Sequence, residues 1–181
     1  YAVYTYIALL AGTVELAGGT GMALLVFGVG SVISVLASAR VIDAWLRQLV
    51  IAMLLLAAVS MLLFLAFARV PGIAHLTFFL WGVSFGPLGA MYQTAIARQV
   101  DRGRDVATSL QSSVFNFSIM LAAGVGGVML VRLADIGVRG IVWVALGCFV
   151  AATLVAWRGG RSGRCALRPP RRTAEESAAA P

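Results

Sequence analysis

LVIAMLLLAAVSMLLFLAFA, residues 49–68, decides the fold. It carries no charge, and it is as long as the roughly 20 apolar residues an α-helix needs to cross about 30 Å of hydrocarbon. The rest of the chain is of the same kind. Its 181 residues are 61% hydrophobic and 12% charged, with a mean hydropathy of +0.95; a soluble domain is roughly half apolar and a quarter charged. The few charges gather in short clusters between long apolar runs, whereas a soluble surface would need them all round.

Working outward from this run with the same length rule predicts an all-α polytopic membrane protein with six spans. Residues 20–39 and 1–17 precede it, and 72–96, 107–131 and 139–157 follow. Residues 1–157 thus form one six-helix transmembrane bundle. The chain opens inside apolar sequence at Tyr1 without a basic leader, so it does not read as a signal peptide and looks shortened at its amino end. Residues 158–181 mix Arg, Gly, Ser and Pro before an Ala-rich end with Glu175 and Glu176, and are expected to form a basic, disordered tail.

All fourteen basic residues are Arg, and six of them lie in the tail: Arg158, Arg161, Arg164, Arg168, Arg171 and Arg172. They point to lipid headgroups rather than nucleic acid as the partner of the +7 net charge. An even number of spans puts both chain ends on one side, and the tail makes that side cytoplasmic by the positive-inside rule. Arg40, Arg47, Arg98, Arg102 and Arg104 then also fall inside, with Arg69, Arg132 and Arg139 outside. This predicts a multi-pass protein of the cell (inner or plasma) membrane with a cytoplasmic carboxyl-terminal tail.

Polar groups inside a span face protein or a water-filled cavity, because hydrocarbon cannot satisfy them. Thr108, Ser112 and Asn116 recur at intervals of four, with Ser109 and Gln111 beside them, and form a stripe on the fifth span. The stripe either lines a cavity or bonds between helices. The fourth span carries Trp81, Phe85, Tyr92 and Gln93 in WGVSFGPLGAMYQ, where Gly86, Pro87 and Gly89 should loosen or bend the helix. Small residues share a helix face at Gly30, Ser34 and Ser38 and again at Ala123 and Gly127, which lets backbones approach closely. Glu15 is the one acid near a span without an adjacent Arg, hence the weak candidate for proton coupling, and His75 is expected at the interface. Cys148 and Cys165 fit neither a zinc site nor a disulfide framework. No nucleophile and base pair, metal-ligand spacing or phosphate loop is visible, so we expect no enzyme activity, no metal and no cofactor.

With the spans laid out, ordered segments resemble the carboxyl-terminal half of the drug and sugar efflux branch of the major facilitator superfamily, the drug:proton antiporters. TYIALL, residues 5–10, is similar to the start of that family's seventh helix, and LLVFGVGSVISVLASARVIDAWLR, 24–47, to its eighth helix and the loop that follows. That loop carries a worn gating signature: Asp43 holds the acid position and Arg47 a basic one, while Ala39 and Ala44 stand where Gly and Arg are usual. FFLWGVSFGPLGAMYQTAIAR, 78–98, resembles the tenth helix, RDVATSLQSSVFNFSIMLAAGVGG, 104–127, the eleventh, and VRGIVWVALG, 138–147, the twelfth.

The resemblance implies a twelve-helix fold of two six-helix bundles around a central cavity, with an amino-terminal half supplied in cis or by a separate chain. It implies proton-driven efflux of small drug-like or sugar-like molecules. The first, second, fourth and fifth spans would face the cavity, with the third and sixth peripheral. The cavity candidates are then Asn116, Gln93, Trp81, Ser112, Phe85 and Tyr4. The alternative is a six-span scaffold or assembly subunit that transports nothing and uses its small-residue faces to oligomerise.

Overall fold

The computed structural model describes residues 2–12, 14, 18–67, 70–99, 103–132 and 137–162. They are helical almost throughout, and no strand occurs among them. The chain is a polytopic membrane protein. The helices are α1 (Ala2–Thr5), α2 (Ile7–Gly12), α3 (Gly19–Ala39), α4 (Ile42–Phe67), α5 (Pro71–Phe85), α6 (Leu88–Gln99), α7 (Arg104–Arg132) and α8 (Gly137–Ser162). Among the described residues five stretches are long and apolar enough to cross a bilayer: α3, α4, the α5–α6 pair, α7 and α8. Of the first expected span, α1 and α2 are described as two short helices broken at Tyr6. Glu15 and residues 163–181, most of the expected tail, lie outside the described residues.

Within the fourth span α5 ends at Phe85 and α6 begins at Leu88. Pro87 between them has no N–H to give to the carbonyl of Val83, and its ring crowds that turn, so the ladder is interrupted there. The Gly86 N–H still reaches the Gly82 carbonyl at 3.0 Å, so the helix loses only a turn.

α5 packs against α3 and α4, and α4 also against α8. The α3–α5 contact is made of glycine. A Cβ on Gly30 would stand 2.5 Å from the Phe79 carbonyl oxygen, and one on Gly86 2.7 Å from that of Ser31; one on Gly82 would overlap the Phe27 carbonyl outright. Gly30, Ser34 and Ser38 are all buried in α3. In lipid no hydrophobic force drives helices together, so such backbone proximity and the dispersion it permits carry the association. The core beyond this contact includes Leu10, Met61, Phe64, Phe78, Trp81, Ile141 and Val142.

Two arginines tie α4 to α8 at opposite ends. Arg47 donates to the Trp157 carbonyl at 3.2 Å and Arg139 to the Leu65 carbonyl at 3.5 Å. Leu65 lies in the last turn of α4, where carbonyls lack helical partners and favour a cation. By contrast α7 is almost uncovered: 6% of its spanning stretch is buried, against 28% to 39% for the others. Val106, Leu110, Val114, Phe117, Leu121, Val125 and Val128 run down it at intervals of three and four, all exposed.

Candidate substrate cavity

An aromatic cluster occupies the centre of the bundle. The Tyr4 ring stacks on Phe85 with centroids 5.2 Å apart and planes 9° from parallel. Phe27 meets Trp81 edge-on at 5.0 Å, and Trp81 leads on to Phe78 at 6.1 Å. These offset and edge geometries suit ring quadrupoles, each worth about 0.5–1.5 kcal/mol beyond burial. Beside the cluster lies a cavity of about 340 Å³, within the range of small-molecule sites. Tyr4 and Val3 of α1 and Trp81 and Phe85 of α5 form its inner wall; Ser118, Leu121, Ala122 and Val125 of α7 and Val144, Ala145, Cys148 and Phe149 of α8 form the outer one.

The cavity lies halfway along the stretches able to span a bilayer. Phe85 and Ser118 are the central residues of the spans Gly72–Arg98 and Asp105–Val131, and Cys148 is central in Arg139–Arg158. Its depth on α1 is fixed by Tyr6, whose hydroxyl donates to the Ala123 carbonyl of α7 at 2.7 Å. The Tyr6 ring lies over Gly126, where a Cβ would overlap it, and its hydroxyl lies 3.3 Å from where one on Gly127 would stand. The small-residue face of α7 is therefore a seat for this tyrosine.

Three of the six expected cavity residues, Tyr4, Trp81 and Phe85, come together here. The other three lie elsewhere on exposed helix surface. The Asn116 amide donates to the Ser112 carbonyl at 2.9 Å and the Ser112 hydroxyl to the Thr108 carbonyl at 3.0 Å, so the stripe bonds along its own helix. Gln93 is exposed on α6. Ser118, Ala122, Ala145 and Cys148 were not legible as lining, because small near-neutral side chains carry no pattern of their own. The sixth span, expected at the periphery, supplies part of the wall.

The signature residues lie where α3 passes into α4. Asp43 lies before, and Arg47 after, a kink in the opening of α4. Trp45 between them departs from helical geometry at φ −130° and ψ 28°, so these turns are kinked against the span. Asp43 pairs with Arg98 at the end of α6, 2.7 Å away. Arg47 is committed to the Trp157 carbonyl of α8.

No family model matches the chain, and no solved structure does. Among curated proteins it is similar to one named "Probable sugar efflux transporter" from Pasteurella multocida (strain Pm70), at 31% identity over 156 residues. The match takes in 84% of this chain and 37% of that protein's length. A multi-pass helical bundle with an apolar cavity halfway along its spans is thus joined to sequence likeness to a transporter.

Proposed function

We propose that the chain is the carboxyl-terminal six-span half of a secondary active transporter of the major facilitator type. It moves small drug-like or sugar-like molecules out of the cell in exchange for protons. The observation that carries this reading is the mid-span cavity lined by Tyr4, Trp81 and Phe85. Likeness to over a third of a protein named as an efflux transporter supports it.

In this reading α1 and α2 belong to the first of six spans, and the bundle sits in the cell membrane with its tail in the cytoplasm. The uncovered face of α7 is where an amino-terminal six-helix half would pack, in cis or as a separate chain. Asn116, Ser112 and Gln93 would meet the substrate on the path between the halves. Glu15 is the weak proton-coupling candidate of this half, and the Asp43–Arg98 pair ties the cytoplasmic ends of α4 and α6 while the path is closed there.

The test is export of a fluorescent drug from cells making this chain alone and then with the amino-terminal half supplied. Export that needs both halves and stops when a protonophore collapses the gradient is expected. Failure to export several chemically distinct probes from a correctly inserted pair of halves would overturn the reading in favour of an assembly subunit.

A further inference from the structure

We propose that α4 and α8 hold the phosphate of one anionic phospholipid between them, at the end where Arg47 meets Trp157. Such a site would fill with or without transport, because it draws on none of the cavity's residues and none of the α7 face left for the other half.

Arginines of both helices adjoin there. Arg47 donates to the Trp157 carbonyl at 3.2 Å. Arg158 is the next residue, its Cα about 3.8 Å from that of Trp157, and Arg161 stands one turn further along α8. A guanidinium carries several N–H donors, and the carbonyl takes one from Arg47. Arg47 and Arg158 are both exposed, and among the described residues neither pairs with a carboxylate. Asp43 is the one acid in either helix, and Arg98 already matches it at 2.7 Å. α4 begins at this end and α8 finishes, so their opposed dipoles offset one another and the arginines set the field.

The depth suits a headgroup. Arg47 stands just before the uncharged run 49–68, and Arg158 closes the apolar stretch Arg139–Arg158, so both sit where hydrocarbon gives way to water. Trp45 and Trp157, neighbours of these arginines in sequence, are 55% and 51% exposed, and indoles favour that interfacial level. Deeper along the helices Leu55, Val59 and Leu62 of α4 and Val150 and Leu154 of α8 are exposed and offer acyl chains an apolar surface. A free phosphate would use the arginines alone, whereas a phospholipid uses the indoles and the apolar surface as well. In the orientation proposed above this is the cytoplasmic side, the leaflet that carries anionic lipids.

The test is native mass spectrometry of the intact protein, titrated in detergent with phosphatidylglycerol or phosphatidylcholine. One phosphatidylglycerol should bind per chain ahead of any phosphatidylcholine. An arginine near a lipid phosphate is worth about fivefold in affinity, so R47A and R158A should each weaken this first binding about fivefold and the double variant about 25-fold. R40A removes another exposed arginine of this end, one that donates to the Leu36 carbonyl, and should leave the binding unchanged. R158A breaks no hydrogen bond among the described residues, so it reads the site even if R47A loosens the α4–α8 seam. Equal binding of the two lipids, or a loss in R40A as large as in R158A, would overturn the site. Displacement of the lipid by millimolar glycerol 3-phosphate would overturn the lipid as its occupant in favour of a soluble phosphate.

Discussion

Substituting Gly82 by Ala tests what holds the bundle together. In an ordinary exposed helix this change stabilises by up to about 1 kcal/mol, because Ala is the better helix former. Here the new methyl would overlap the Phe27 carbonyl oxygen of α3. Restoring a C···O separation near 3.3 Å requires the two helices to part by about 1 Å. A gap of that size forfeits roughly a quarter to a half of each dispersion contact along the seam. Overpacking of this kind costs about 1–3 kcal/mol, which exceeds the propensity gain. The net loss of up to about 2 kcal/mol corresponds to a fall in Tm of up to about 4–8 °C for a chain of this size. G28A is the matched control: Gly28 sits in the same helix as Gly30, with nothing within 4 Å of a new Cβ. Thermal unfolding in detergent, followed by helical circular dichroism, should show G82A below wild type and G28A level with it or above. A G82A protein as stable as wild type would refute the glycine seam as the source of α3–α5 association.

Y6F removes the hydrogen bond to the Ala123 carbonyl and should cost about 0.6 kcal/mol, the average for such bonds in a membrane protein, read by the same unfolding assay. D43N and R98A break an ion pair whose side chains are 88% and 35% exposed, so stability should change by less than about 1 kcal/mol. If the pair holds the cytoplasmic ends together during transport, export should fall in each single variant and recover in the charge-reversed D43R/R98D double variant. F85A removes the ring stacked on Tyr4 and should weaken binding of an aromatic probe about tenfold, measured by fluorescence titration, while Q93A on exposed surface should not.

The polytopic helical character was legible because the bilayer sets one length and one composition, and an uncharged run such as 49–68 satisfies both. The aromatic side of the cavity was legible too, since Trp81 and Phe85 are large side chains beside a Gly-Pro break. What escaped was whatever depends on a partner helix. Gly86 read as a loosening agent in one dimension, yet in three it stands, with Gly82, where α3 comes closest. The Thr108–Asn116 stripe matches a helix face, which left cavity lining and bonding between helices equally open; the bonds of Ser112 and Asn116 to carbonyls of the preceding turn follow from the folded backbone. Arg47 carries the family-like spacing, but its reach to α8 depends on an α4–α8 contact that no local motif encodes.

The interruption at Gly86–Pro87 divides one crossing between two sets of anchors. The upper piece, α5, is locked by glycine contact to α3, where any slippage meets backbone. The lower piece, α6, packs against α4 and α7, and its end is joined to the start of α4 by an exposed ion pair. The joint between them lies beside Phe85, at the level of the cavity. A few degrees of rotation there would swing the far end of α6 like a lever, and the exposed ion pair at that end would give before the glycine seam does.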